Sequence, residues 1–215
     1  MMKTRNKALL LTLCAVLLVA ASVLGTMAYL TSTDEVVNTF TVGNVKIKLD
    51  EAAANADGSL VEGAARVKAN SYKLLPGHTY NKDPMVTVLN GSESSYIKMT
   101  VTFSNASQLD AIFAPNGANM TSIFNGYDAA NWLYKGNTKD AANNTRTYEF
   151  WYKETVAAPT ADVALDALFD SITVPGTITN AQLATIEGMT ITVNAYAIQA
   201  DGFDTAEAAW AAYAG

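Results

Sequence analysis

Few residues in this sequence have types and spacings that suggest catalysis. The chain contains one histidine, His78, and neither an H-E-x-x-H nor a G-x-S-x-G motif. A catalytic zinc site needs several His or carboxylate ligands at fixed spacing, and an α/β-hydrolase serine sits on a strained elbow. His78 follows the turn dipeptide Pro76-Gly77, so we expect it to be a solvated loop residue. The sequence therefore predicts no catalytic residue, no metal site and no cofactor.

Carboxylates show one regular spacing, in TADVALDALFDSI (160–172). Three aspartates lie four residues apart, and four apolar residues recur at helical spacing: Asp162, Asp166 and Asp170, with Leu165, Leu168, Phe169 and Ile172. This pattern predicts an amphipathic helix with a solvated acidic face. A weak calcium patch is the alternative.

Aromatic residues are concentrated in two short stretches, NWLYK and TRTYEFWYK: Trp132, Tyr134, Tyr148, Phe150, Trp151 and Tyr152. The polar loop between the stretches predicts a hairpin over 131–153, in which these rings form cross-strand pairs within the core. The alternative is a flat aromatic face that binds sugar.

The elements that must position these residues are mostly strands. NVKIKL (44–49), YIKMTVTF (96–103) and MTITVNAYA (189–197) alternate apolar and polar residues, as expected of antiparallel sheets with one wet face. NGSESS (90–95) lies between two such runs and predicts a second hairpin.

Helices are predicted to be short and peripheral. Three residue pairs have the spacing of a capping box: Ser107 with Asp110, Thr179 with Gln182, and Asp204 with Glu207. Together these elements predict an all-β fold, a two-layer antiparallel β-sandwich of jelly-roll type with a few short peripheral helices.

Residues 1–28 have the organisation of a signal peptide. Three positive charges precede the uncharged, mostly apolar run 8–24, and Ala28 supplies the small residue before a cut, with Thr26 two positions earlier. We expect cleavage between Ala28 and Tyr29. An uncleaved anchor is the alternative, because a membrane span needs about 20 apolar residues. In either case the rest of the chain lies outside the cytoplasm, and it contacts a membrane only through an uncleaved signal.

Cleavage would leave 215 − 28 = 187 residues, 29–215, which suit a single domain. Residues 1–28 hold three of the 14 Lys and Arg and no Asp or Glu, so the mature net charge is 11 − 20 = −9. Nucleic acids and anionic lipids bind clusters of Lys and Arg, so neither is an expected partner. The only cysteine, Cys14, lies in the signal. The mature protein therefore has no disulfide.

Three stretches resemble the TasA/camelysin family of exported proteins. The first is GTMAYLTSTDEVVNTFTVGNVKIKL (25–49), with Gly-Thr before the cut, Ala-Tyr at the cut, a Thr/Asp-rich stretch and an aromatic-x-x-Gly-x-hydrophobic strand. The second is LLPGHTYNKDPMVTVLNGSESSYIKMTV (74–101), and the third combines AYAIQADGF with AEAAWAAY within 195–213. Residues 104–188 carry no such resemblance.

The resemblance implies a jelly-roll sandwich, processing by a SipW-type signal peptidase, secretion from a Gram-positive bacterium and a role as a matrix fibre subunit. It also implies that the mature N-terminal segment, 29–41, can add as a strand to the next subunit. The apolar residues available as anchors there are Tyr29, Leu30, Val36, Val37 and Phe40. Two alternatives remain for this segment: a first strand of its own subunit, or an unstructured terminus.

The function predicted from the sequence is a non-enzymatic, secreted subunit of a cell-surface or biofilm-matrix fibre that self-associates into filaments. One alternative is a camelysin-like metallopeptidase. Another is a monomeric extracellular module that binds glycan or protein through the loops around Trp132 and Tyr148.

Overall fold

A computed structural model describes residues 13–17, 44–113 and 120–213. The chain divides into two compact units, Met1–Val42 and Gly43–Gly215. In the first unit, residues 13–17 are helical. The predicted cleavage residues and the segment 29–41 lie outside the described residues. In the part of the chain that the structure describes, no helix has the length and apolar character needed to cross a bilayer.

Between residues 44 and 213 the chain forms short strands and helices in the following order. They are β1 (Ile47–Asp50), β2 (Thr79–Asn81), β3 (Met85–Val88), β4 (Ser95–Phe103), α1 (Ala106–Phe113), a 3-10 turn (Met120–Ser122), β5 (Phe124–Asn125), β6 (Trp132–Asp140), β7 (Thr145–Tyr152), β8 (Val163–Ala164), β9 (Ser171–Thr173), α2 (Asn180–Thr185), β10 (Ile191–Gln199) and α3 (Ala206–Tyr213).

One layer of the fold is a four-stranded antiparallel sheet with the order β10-β4-β7-β6. Alternate residues of β4, from Ser95 to Phe103, are buried, and the residues between them are partly exposed. This is the alternation that YIKMTVTF predicts. β6 and β7 form the predicted hairpin, with a register shift between Tyr134 and Gly136.

The opposing layer consists of two three-stranded antiparallel sheets, β1-β3-β8 and β2-β9-β5. Apolar side chains of both sheets share one core with the four-stranded sheet, including Val86 of β3, Phe124 of β5 and Phe150 of β7. The predicted all-β, antiparallel two-layer sandwich with short peripheral helices is thus confirmed.

The prediction of a helix over 160–172 is wrong. This segment contains β8 and leads into β9, and its backbone bonds alongside β3: Leu165 N–H donates to Val86 O at 2.8 Å and Leu168 N–H to Pro84 O at 3.0 Å. Leu165, Leu168, Phe169 and Ile172 are buried, as their apolar character suggests. Pairing with a distant strand overrides the local helical spacing.

The aspartates of that segment accordingly share no helix face. Asp162 Oδ1 accepts the Asn90 backbone N–H at 2.9 Å, and Asp166 Oδ2 accepts Asn131 Nδ2–H at 2.9 Å. Asp162 and Asp166 therefore stabilise two different loops.

The predicted hairpin at 90–95 is also wrong, because this loop crosses from β3 in one layer to β4 in the other. It bonds instead to the chain around β1. Ser92 Oγ accepts the Lys46 backbone N–H at 2.9 Å, and Glu93 N–H donates to Asn44 O at 3.0 Å.

The three predicted capping boxes meet different outcomes. The Thr179–Gln182 box at α2 is confirmed, with both reciprocal hydrogen bonds present. At α1, Asp110 pairs with Arg146, and the Ser107 N–H is capped by Asn144 Oδ1 from the neighbouring loop at 3.0 Å. At α3, Thr205 Oγ1 caps the Ala208 N–H at 3.2 Å. In these two helices the predicted caps are therefore wrong, although the helices are present.

Candidate functional site

The feature best suited to a function is the outer edge of β10. β10 pairs with β4 from Ile191↔Phe103 to Gln199↔Ser95. Among residues 44–113 and 120–213, no strand pairs with the other side of β10. An edge strand of this kind presents a row of backbone donors and acceptors that a second chain can use.

The bonds at the two ends of β10 fix which backbone groups face outward. Ser104 N–H donates to Thr190 O at 3.0 Å, just before the strand. Ala200 N–H donates to Ser94 O at 2.7 Å, just after it. Because bonded and non-bonded pairs alternate in an antiparallel ladder, even-numbered residues of β10 bond to β4. The outward-facing N–H and C=O groups belong to the exposed Gln199 and to four apolar residues, Ile191, Val193, Ala195 and Ala197.

The side chains of these four residues pack against the core but are only partly buried. Their direct partners on β4 are Phe103, Val101, Met99 and Ile97, and each of these is 0% exposed. The core-facing side chains of β4 are therefore fully buried, whereas those of β10 are only partly buried. A strand added beside β10 would cover apolar surface in addition to pairing backbone groups.

β1 forms a matching edge in the other layer. Leu89 N–H donates to Lys46 O at 2.9 Å, so the same alternation directs the backbone groups of Ile47 and Leu49 away from β3. Their side chains also pack, partly buried, against the core, and β1 contacts β10. On β1 this edge is partly bonded already, because Lys68 Nζ donates to Leu49 O at 2.7 Å. We call Ile47, Leu49 and the four apolar outward-facing residues of β10 the open seam.

A groove of about 360 Å³ lies at the start of the open seam. Both edge strands line it, with Leu49, Asp50 and Glu51 on one side and Ile191, Thr192 and Val193 on the other. Lys68, Asn70 and Lys82 also line it, so its wall combines apolar and charged side chains with the backbone of strand edges. Such a surface suits an extended polypeptide, which supplies backbone hydrogen bonds and alternating side chains.

A network of charges holds the β1 side of this groove in place. Arg66 Nε lies 2.6 Å from Asp50 Oδ1, and Arg66 Nη1 lies 2.8 Å from Asp83 Oδ2. Lys48 Nζ lies 2.6 Å from Asp50 Oδ2. Burial alone would raise the pKa of Asp50, but hydrogen bonds and charge from Lys48 and Arg66 outweigh it and lower that pKa below its ordinary value of 3.8. The carboxylate therefore stays ionised and keeps the end of β1 fixed to residue 66.

A second buried pair lies beside the first. Lys82 Nζ is 2.6 Å from Glu51 Oε2, with both side chains less than one-tenth exposed. Glu51 Oε1 accepts Asn70 Nδ2–H at 3.0 Å. These contacts join the end of β1 to the segment around residue 70 and to the residue after β2.

The residues considered for other chemistry are not brought together. His78 is exposed in its loop, as predicted. Trp132 and Tyr148 are each 0% exposed and form part of the core, so neither presents a ring face to a sugar. Within the described ranges, no group of three or more His, Cys, Asp or Glu side chains is placed to hold a metal ion.

The residues that the sequence singles out for processing and assembly all lie outside the described residues. They are Thr26, Ala28 and Tyr29 at the predicted cut, and Tyr29, Leu30, Val36, Val37 and Phe40 in the predicted donor segment. The acceptor side was missed by sequence reasoning. MTITVNAYA identifies a strand, but no local signal shows that the strand lies at an edge. Comparisons with protein-family models, curated proteins and solved structures found no match.

Proposed function

We propose that this protein is a secreted, non-enzymatic subunit of a cell-surface or biofilm-matrix fibre. In this proposal, residues 29–41 of one copy add as a strand at the open seam of the next. The observation that carries the proposal is the edge of β10 that no described strand pairs with, where four residues combine outward-facing backbone groups with incompletely buried side chains. Strand addition satisfies both at once.

The length and pattern of the segment fit the acceptor. Residues 29–41 are 13 residues long, and β10 spans the nine residues Ile191–Gln199. In an extended chain Val36 and Phe40 share one face, because side chains alternate with a period of two. That face can pack against the partly buried seam, while the polar residues 31–35 extend beyond it.

Head-to-tail addition would produce a filament. The donor segment and the acceptor edge are different surfaces of the chain, so each added copy leaves a fresh acceptor. A heterologous contact that does not close into a ring gives an open fibre. Removal of the signal by a SipW-type peptidase, with a cut before Tyr29, would free the donor segment after export.

The alternatives have less support. A metallopeptidase would need several zinc ligands, and the sequence contains one histidine. The glycan-binding module relies on loops around Trp132 and Tyr148, whose rings are fully buried.

Negative-stain electron microscopy of residues 29–215, compared with residues 43–215, tests the proposal. We expect filaments from the longer form only, since only that form carries the donor segment. Single particles from both forms would contradict the proposal of a fibre subunit. Tightly bound, stoichiometric zinc would favour the metallopeptidase instead.

A further inference from the structure

The second buried pair described above has the parts of a self-modifying site, and this inference is independent of fibre assembly. Glu51 contacts an amine and an amide with its two carboxylate oxygens. Lys82 Nζ lies 2.6 Å from Oε2, and Asn70 Nδ2 lies 3.0 Å from Oε1. Lys82 and Glu51 are both buried. One carboxylate thus contacts both an amine and an amide, the two groups that an isopeptide bond joins.

The amide of Asn70 is itself held by backbone groups. Ala54 N–H donates to Asn70 Oδ1 at 2.9 Å, and Ala52 O accepts Asn70 Nδ2–H at 2.8 Å. A backbone N–H on the carbonyl oxygen polarises the carbon–oxygen bond and stabilises negative charge that develops on that oxygen. The Asn70 amide is therefore held by the backbone, and its carbonyl is polarised by the Ala54 N–H.

We propose that Lys82 and Asn70 form an intramolecular isopeptide bond in the folded protein, with Glu51 relaying the protons. The Lys82 ammonium passes a proton to Glu51, and the neutral amine attacks Cγ of Asn70. The Ala54 N–H stabilises the oxyanion of the tetrahedral intermediate. Glu51 then protonates the departing Nδ2 group while the C–N bond to it breaks. Glu51 then takes a second proton from Lys82 Nζ and passes it to the released ammonia, which leaves as an ammonium ion, and Nζ ends as an amide N–H.

The step is balanced without any added reagent. A lysine ammonium and an asparagine amide become one secondary amide and one ammonium ion, and Glu51 returns to its carboxylate form. Proximity of the reacting groups and proton transfer by a fixed carboxylate are the two general sources of acceleration that the site offers. The bond would give a covalent cross-link to a mature chain that is predicted to lack cysteine.

Mass spectrometry of the purified full chain tests this inference. Trypsin would normally release residues 69–73 and 74–82 as separate peptides, because Lys68, Lys73 and Lys82 end them. We expect instead one linked species, in which 69–73 is joined to 74–98 and the mass is reduced by one ammonia. Free 69–73 and 74–82 at full mass would overturn the proposal. Loss of ammonia mapped to another asparagine would overturn it equally.

Variants test the assigned roles. Glu51→Gln keeps the size of the side chain but removes the proton relay, so the linked peptide should fall at least tenfold in yield. Lys68→Arg, at an exposed neighbouring lysine, should leave the link from residue 70 to 82 unchanged. A folded Glu51→Gln protein with a full yield of the link would contradict the role of Glu51. If that variant does not fold, the wild-type peptides still decide the inference.

Discussion

Arg146 bonds through all three of its guanidinium nitrogens, and it fixes α1 to β7. Its Nε and Nη2 atoms bond to Asp110 at 2.7 to 3.1 Å, and Nη1 donates to Asn137 Oδ1. Lys139 Nζ also lies 2.9 Å from Asp110 Oδ2. The Arg146 side chain is 8% exposed. A buried guanidinium of this kind depends on its carboxylate for charge balance.

We expect Asp110→Asn to lower the free energy of unfolding by about 2 kcal/mol at neutral pH, because Arg146 would lose its counter-charge. Burial alone would raise the pKa of Asp110, but hydrogen bonds from Arg146 and Lys139 outweigh it and hold that pKa below 3.8. The contribution is therefore present above pH 3.8 and is lost as the pH falls through the folded-state pKa. Urea denaturation at neutral pH and near pH 3 measures both effects.

The matched control is Glu62→Gln, an exposed carboxylate, which should change stability little at either pH. If the difference between wild type and Asp110→Asn is as large near pH 3 as at neutral pH, the ion pair is not its source.

The helix α3 is held on the outer face of the four-stranded sheet by aromatic and cationic side chains. Lys98 Nζ lies 4.5 Å from the centre of the Trp210 ring, and the Trp151 ring lies 6.3 Å from it. Trp210 is 4% exposed, whereas Tyr213 is 53% exposed. Trp210 is therefore the anchor of this helix, and Tyr213 lies at its margin.

We expect Trp210→Ala to cost about 3 kcal/mol of unfolding free energy, since it deletes a large buried ring. It should also make the C-terminal helix sensitive to protease. Limited proteolysis combined with urea denaturation measures these effects, with Tyr213→Ala as the control. Equal losses from the two variants would mean that Trp210 does not anchor α3.

The open edge of β10 leads to a second prediction about an element of the fold. Ala195 N–H points away from β4, so Ala195→Pro removes a donor at the open edge without removing a bond to β4. We expect it to abolish filaments while the near-UV circular dichroism of the subunit is kept. Ala195→Ser retains the N–H and should assemble. Normal filaments from the proline variant would place the contact elsewhere.

Local patterns predict some of these elements well and others poorly. The alternation in β4 was sufficient, because a strand with one wet face has a simple period of two. The helix predicted over 160–172 was wrong because apolar residues at helical spacing can equally be buried from an extended chain that lies against β3. The loop 90–95 joins strands of different layers, and short-range sequence cannot distinguish that crossing from a hairpin.

At the scale of the whole molecule, net charge should govern assembly. The full chain carries −6, and residues 29–215 carry 11 − 20 = −9. Copies that add head to tail must overcome this repulsion. Its range, the Debye length, is about 30 Å at 0.01 M salt and about 8 Å at 0.15 M. We expect light scattering to show faster filament growth at the higher salt concentration. Slower growth would indicate that attraction between opposite charges dominates the contact.

The open seam belongs to the same scale, which explains why it was not predictable from the sequence. β1 pairs with β3, and β10 pairs with β4, whose paired residues lie 88 to 104 positions earlier in the chain. Which strands end up at an edge depends on these distant pairings. The donor segment, by contrast, was predicted from contiguous residues, because the resemblance that implies it lies in the single stretch 25–49.

Amide hydrogen exchange tests the central proposal most directly. Residues 43–215 would be measured with and without a synthetic peptide of residues 29–41. We predict that the peptide protects the N–H groups of Val193, Ala195 and Ala197, which face the open edge, and leaves the exposed edge of β6 unchanged. Unchanged exchange at these three amides in the presence of excess peptide would contradict strand addition at β10.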